Sequence, residues 1–393
     1  MLEKMVYAGS TSSSFRQAEE DLKRLAEMEI SAQRIARATE RIGQERVSQR
    51  EAEVEAWENL PLPSRQASPR TQVPQVACVE MDGGRIQIRE RKEEDPSEAA
   101  SGKGRFWRET KVGCVLSMVS EAFPEDPCPA IPEVFVDPAR IGQIAREIKG
   151  FHAAEAVSVH ADAGSVSRPG QPEVLVRSVV ATRENLDAFG KQLATAAWQR
   201  GFSAASRKAF VADGLEANWS VWQRHFSHYT PILDFIHAIC YVFAAAMAGR
   251  PVSDGWSTYC QWAQWIWSGR VEWVIAGVAE RQQDLGPPTD SDPDESPRSR
   301  VADALRYLRN QQSRMHYDEY RRLGLPITSS HIESTIKQIN RRVKGSEKFW
   351  CGEGAEALLQ LAADYSSETS PLTPFWKSRQ AQATGQRHYR TAS

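Results

Sequence analysis

No Cys-x-x-Cys pair occurs among the six cysteines of the chain, Cys78, Cys114, Cys128, Cys240, Cys260 and Cys351. A zinc ribbon takes its thiolates from such close pairs, and a disulfide scaffold packs more cysteines into a much shorter chain. Both are excluded, and scattered thiols suit a reducing cytoplasm. The start, Met1-Leu2-Glu3-Lys4, lacks the apolar stretch of a secretory signal. A membrane-length apolar run is missing too. The longest, residues 235–249, is interrupted by His237 and falls short of the roughly 20 residues a spanning helix needs. It reads as a buried core helix, and no membrane partner is expected. Strong net charge is also absent: 49 Lys and Arg stand against 51 Asp and Glu, a net of -2. That sits badly with nucleic-acid binding until the chain is divided. From Arg298 onward 16 Lys and Arg face 9 Asp and Glu, a local +7, while acids gather at Glu93-Glu94-Asp95 and in 290–295. A basic C-terminal third can contact phosphates without the whole chain being basic.

What is present is ordinary globular material, 41% hydrophobic and 25% charged, in 393 residues. That length implies one substantial core with smaller units attached. Residues 1–60 form an N-terminal helical region, with Leu22, Leu25, Met28, Ile30, Ile35 and Ile42 at helical spacings across 13–58. Ser31 is the expected N-cap of a second helix ending near Gly43. Two helices joined at Glu29-Ile30-Ser31 suit either part of a helix-turn-helix, hence a partial DNA-binding domain, or a charged hairpin or coiled coil. Pro61, Pro63, Pro69 and Pro74 mark a linker, 61–75. Strands are expected at 76–81, 85–89 and 110–118, with a turn at Asp82-Gly83-Gly84 and a flexible acidic tip at 95–104. Helical patterns at 140–155 and 184–200 precede a strand at 208–212, a helix at 216–226, a strand at 230–233 and the apolar helix. Strands followed by alternating helices and strands indicate a mixed α/β sheet flanked by helices, begun in 76–240. Residues 241–325 are an all-α insertion, 326–370 close the core with helices at 329–344 and 352–365, and 371–393 are a polar tail.

Asp82 and Asp213 each stand where an apolar strand gives way to Gly. Strand ends brought side by side converge their carboxylates, although a single Asp-Gly after a strand is more often just a turn. Further along, Gly324-Leu325-Pro326-Ile327-Thr328-Ser329-Ser330-His331-Ile332-Glu333-Ser334 leads into Lys337, Asn340-Arg341-Arg342-Val343-Lys344-Gly345-Ser346, Lys348-Phe349-Trp350 and Gly354-Ala355. This block resembles the closing signature of DDE-type transposases of bacterial insertion sequences in the Mutator-like superfamily. Val211-Ala212-Asp213-Gly214 with Trp219 and Trp222, then Pro231-Ile232-Leu233-Asp234-Phe235-Ile236-His237, is similar to the same family's second acidic segment. Val79-Glu80-Met81-Asp82-Gly83-Gly84 with Trp107-Arg108-Glu109-Thr110-Lys111-Val112-Gly113 looks like its opening hairpin. The resemblance spans about residues 76–366. It departs from the family at Thr328-Ser329-Ser330, where many relatives carry Gly-Ser-Gly, and in a short N-terminal region.

The resemblance implies an RNase H-like core with Asp82, Asp213 and Glu333 as catalytic acids and ligands of two Mg²⁺ ions, Mn²⁺ being able to substitute. Hard carboxylates suit such ions, which activate an oxygen nucleophile and stabilise a leaving 3′ oxygen. It implies cleavage at the ends of an element and attack of the freed 3′-OH on target DNA, with no covalent protein intermediate. Double-stranded DNA is the partner, met by at least a homodimer in the bacterial cytoplasm, at the nucleoid. Asp234 is the alternative second acid. With His237 at i+3 it otherwise orients a ligand or the scissile phosphate, or merely caps the apolar helix. Lys337, Arg341 and Lys344 follow Glu333 along one helical face, and with Arg342 and Lys348 they form the expected DNA contact, unless that face is simply solvated. Trp256, Trp262, Trp265, Trp267 and Trp273 read first as core and only second as base-stacking groups. Tyr307, Tyr317 and Tyr320 accompany many arginines, but the three-block acid pattern argues against a tyrosine recombinase, which works through a covalent phosphotyrosine. Two other readings stand beside this one: a DNA-binding remnant of such an element, and a host nuclease with the same core.

Overall fold

A computed structural model of the protein describes residues 1–89, 106–149, 171–345 and 347–382. The acidic tip at 95–104 and the end of the tail lie outside the described residues. The chain opens with α1 (Leu2–Thr11), α2 (Phe15–Ala26) and α3 (Ala32–Glu58). Ser31 caps α3 as expected, its hydroxyl accepting the Arg34 N–H at 3.4 Å. The helix does not end near Gly43, however, but runs 27 residues. Gly43 sits inside it because the helix crosses another chain segment there: a Cβ would lie 2.5 Å from the Ala357 carbonyl oxygen. Met5, Ala8, Ala18, Leu22 and Ile35 give α1–α3 a small core of their own. The proline-rich linker holds one short helix, α4 (Leu62–Gln66).

The first strand is β1 (Val76–Ile88), a single 13-residue element where the sequence suggested two strands and a turn. Its antiparallel partner β2 (Trp107–Val119) stays in unbroken register through the site of the supposed turn, with Asp82 opposite Val112, Gly83 opposite Lys111 and Gly84 opposite Thr110. Neither glycine takes a positive φ, so no tight Asp-Gly turn forms. After α5 (Pro138–Lys149), β3 (Glu173–Thr182) pairs antiparallel with β2. This strand was missed, though Val174, Val176, Val179 and Ala181 carry an apolar signal. Then follow α6 (Leu186–Gln199), β4 (Arg207–Ala212), α7 (Glu216–His225), β5 (Thr230–Leu233) and α8 (Phe235–Met247). The helical insertion continues as α9 (Val252–Trp267), α10 (Val271–Leu285), α11 (Pro297–Gln311) and α12 (Tyr317–Arg322). The chain closes with α13 (Ser330–Val343), β6 (Phe349–Trp350), α14 (Gly352–Ser366) and α15 (Leu372–Ala381). That last helix buries Leu372 and Phe375, so the first part of the supposed tail belongs to the packed structure.

The result is an open, mixed, six-stranded sheet flanked by helices, in the order β3-β2-β1-β4-β5, with β6 beside the far end of β1. β4 and β5 run parallel to β1, as does the short β6. One continuous core joins the sheet to the insertion. Val79, Val115, Phe210 and Ile232 share it with Tyr259, Trp262, Trp267 and Tyr317. Two of the five clustered tryptophans, Trp262 and Trp267, are therefore core, while Trp273 is exposed. Among the described residues no helix is long and apolar enough to cross a membrane.

Candidate functional site

Parallel pairing is what gathers the acids. Glu80 of β1 lies opposite Val211 of β4, and Ala212 of β4 opposite Leu233 of β5. Carrying the first register on by two residues and the second by one sets Asp82, Asp213 and Asp234 in a single row across three neighbouring strands. The edge of β1 is uncovered there: β4 pairs with it only as far as Glu80, and β6 begins at Gln87. Asp82 thus sits in mid-strand with respect to β2 but at the open end with respect to β4. β4 itself stops because α11 takes its backbone. Tyr307 donates its hydroxyl to the Asp213 carbonyl at 2.6 Å, and the Gln311 amide donates to the Gly214 carbonyl at 2.9 Å. Gly214 has φ +95°, and a Cβ there would meet the Tyr307 hydroxyl at 2.8 Å, so glycine alone fits this exit from the strand.

Each acid has a distinct set of partners. Asp82 accepts the Gly83 N–H at 2.6 Å through Oδ1. Asp213 accepts from Leu215 N–H at 3.1 Å and Asn218 Nδ2 at 2.7 Å, both on Oδ1. Burial, then the Asp213 charge, push the Asp82 carboxyl up to about 6. Glu333 occupies the first turn of α13. Burial and the charge of Asp234 raise it, while His237 and Lys337 work the other way.

Asp234 is fully buried and saturated with donors. Its Oδ1 accepts the N–H groups of Ile236 at 2.6 Å and His237 at 3.0 Å, capping α8. Its Oδ2 accepts the Ser329 N–H at 2.6 Å and the Ser329 hydroxyl, tying the start of α13 to the end of β5. Burial works against its charge, but His237 and the Ser329 donors prevail and hold the carboxyl below its ordinary value. His237 Nδ1 stands 3.6 Å from Asp234 Oδ1, an ion pair rather than a close hydrogen bond. Burial disfavours the imidazolium, yet Asp234, with Asp213 and Glu333, lifts it to about 9. Asp234, His237 and Glu333 offer ligand atoms all within 4.8 Å of one another, and the group could hold a metal ion.

Sequence reading overlooked Glu80. It precedes Asp82 by two residues on the same face of β1 and is entirely buried. Its Oε2 accepts the Ile332 N–H at 2.8 Å, which docks the first turn of α13 against the sheet. Burial, then the charges of Asp234 and Glu333, push it up to about 8 despite that hydrogen bond. An acid inside the otherwise apolar run 76–81 was the available signal.

The basic set divides. Lys337, Arg341 and Lys344 are exposed. Arg342 is not a surface group: it is 3% exposed, donates Nε to the Gly9 carbonyl at 2.9 Å, and lies over the Phe15 ring at 4.4 Å. Half-buried Lys348 turns inward, its ammonium donating to the carbonyls of Arg341 at 2.8 Å and Arg342 at 3.1 Å. It caps the end of α13. No protein-family model and no curated protein matches the chain.

Proposed function

We propose that the protein is a DDE-type transposase with an RNase H-like core, cutting DNA at the ends of an element and joining the freed 3′-OH to target DNA. The observation that carries this reading is the placement of Asp82 in β1 near Asp213 and Asp234, which directly follow β4 and β5, with Glu333 brought near them by α13. The strand order, with three antiparallel strands followed by two parallel to the first, supports the same core. Mutual repulsion among buried carboxylates fits a cation site, because divalent ions relieve it. Asp82, Asp213 and Glu333 would hold two Mg²⁺, or Mn²⁺ in their place. Bound there, the ions supply an activated oxygen nucleophile and stabilise the leaving 3′ oxygen. Asp82 and Asp213 each keep one oxygen without a partner among the described residues, whereas Asp234 has none to spare. Asp234 therefore positions: it fixes His237 and the start of α13. The acids around His237 favour its charged form, which suits a phosphate oxygen approaching them. Lys337, Arg341 and Lys344 continue that path for the DNA backbone, and joining two ends calls for at least a dimer.

The alternative second acid is Asp234, favoured by its 4.8 Å grouping with His237 and Glu333. A nicking assay on plasmid carrying the DNA that flanks the coding region separates the two. With Mg²⁺ or Mn²⁺ the wild type nicks and joins, while Asp82→Asn, Asp213→Asn and Glu333→Gln fall to background. Near-normal cleavage by a folded Asp213→Asn would transfer its role to Asp234. DNA binding without metal-dependent cleavage by the wild type would leave a binding remnant.

A further inference from the structure

Behind α13, on the side turned away from Glu333, is a recess of about 360 Å³. It lies where the end of α1, β3, the last turns of α13 and the end of α14 meet. Ser10, Arg177, Arg342 and Tyr365 all line it. Each of these four side chains has a buried polar atom with no hydrogen-bond partner: Ser10 Oγ, Arg177 Nε, Arg342 Nη2 and Tyr365 Oη. Ser10 and Arg342 are each 3% exposed. All four atoms can donate, and two belong to guanidinium groups that cannot accept.

The charge balance points the same way. Arg177 faces Glu368, with Nη2 3.8 Å from Oε1, and gives its Nη1 to the Thr335 hydroxyl at 3.4 Å. Glu368 also accepts the Arg177 backbone N–H at 2.8 Å. Arg342 has no carboxylate within ion-pair distance among the described residues, and burial alone pulls its guanidinium down to about 10. Two cations therefore share one carboxylate beside a cavity. A buried cation without a counter-charge is costly. Waters offer these four donors lone pairs but no negative charge. A tetrahedral oxyanion offers acceptors and the missing negative charge.

We propose that this recess is a binding site for a small phosphate-class oxyanion, either inorganic phosphate or the terminal phosphoryl group of a nucleotide. It would link four elements through one ligand. Since α1 belongs to the N-terminal helices and α13 carries Glu333, occupancy would pin the N-terminal unit to the acid-bearing helix. Nothing in this site uses Asp82, Asp213 or Glu333.

The test uses the full-length protein in chelator, at constant ionic strength. Inorganic phosphate, and separately a nucleoside diphosphate, are titrated while binding is followed by calorimetry and thermal melting. Expected is saturable binding at or below about 1 mM, with Tm rising as ligand is added. Tyr365→Phe and Ser10→Ala, which barely change volume, should each weaken binding about two- to tenfold, and Arg177→Gln by more than about tenfold. Asp82→Asn should bind as the wild type does, so failure of the catalytic reading leaves this result intact. Tighter binding of the diphosphate identifies a nucleotide, and equal binding identifies free phosphate. Absence of saturable binding, or affinity indifferent to both Tyr365→Phe and Arg177→Gln, overturns the proposal.

Discussion

Asp213 and Asp234 are neighbours in register, and their partners predict opposite results from the same substitution. An amide at 213 keeps an oxygen for Leu215 N–H and Asn218. An amide at 234 places an NH₂ group among donors, facing Ser329 N–H or the N–H groups of Ile236 and His237. Asp234→Asn should therefore lower the unfolding free energy by about 3–5 kcal/mol, while Asp213→Asn changes it by less than about 1 kcal/mol. Urea denaturation in chelator measures both, and equal losses would contradict the division of roles. Glu80 gives a pH test. Its unfolded value is 4.5 and its folded value about 8. Between those values the folded chain holds the extra proton. The stability this contributes is complete below 4.5 and is lost as pH rises through 8, at up to about 1.4 kcal/mol per pH unit. Glu80→Gln should flatten the decline of metal-free stability between pH 6 and 8. An unchanged slope would mean that Glu80 is ionised in the fold.

At the scale of elements, α3 and α14 are held by close approach and by charge. Arg46 grips both oxygens of Asp364, at 2.9 and 3.2 Å, and Arg50 reaches Glu356 at 3.0 Å. Helix propensity alone favours Ala over Gly at 43 by about 1 kcal/mol. The new methyl would, however, lie 2.5 Å from the Ala357 carbonyl oxygen. Overlap should prevail, so Gly43→Ala is expected to destabilise by about 1–3 kcal/mol in denaturant titration. A gain in stability would show that the helices separate freely. α13 is two-sided in another sense, with Ile332, Ile339 and Val343 inside and Lys337, Arg341 and Lys344 outside. Replacing those three cations by Ala should weaken binding to every DNA and reduce the salt slope by about three units. Discrimination between an element end and random DNA should barely change. A salt titration on both DNAs checks this, and an unaltered slope would make the face merely solvated.

Across the whole molecule, legibility followed the range of the interaction. β4, β5, α8 and α13 could be read because an apolar run or a helical period, a cap and a glycine lie within a few residues of one another. The helix carrying Glu333 was therefore placed to within a residue. Asp82-Gly83-Gly84 could not be read in the same way. Those residues serve a turn or a strand equally well, and the choice was made by Thr110, Lys111 and Val112, roughly thirty residues on, which pair with them. Arg341 and Arg342 are adjacent and alike in charge, yet one meets solvent and the other the rings of Phe15 and Trp350. Only the docking of α1 and α2 against α13 distinguishes them. The sequence by itself determined β4, β5 and the phase of the helix that carries Glu333, since these depend on local pattern. Tertiary structure alone decided that Asp82, Asp213 and Asp234 share a row, that Glu80 is buried beneath Glu333, and that Arg342 faces a recess. Register, burial and unmet donors arise from contacts between segments far apart in the chain, and no local period encodes them.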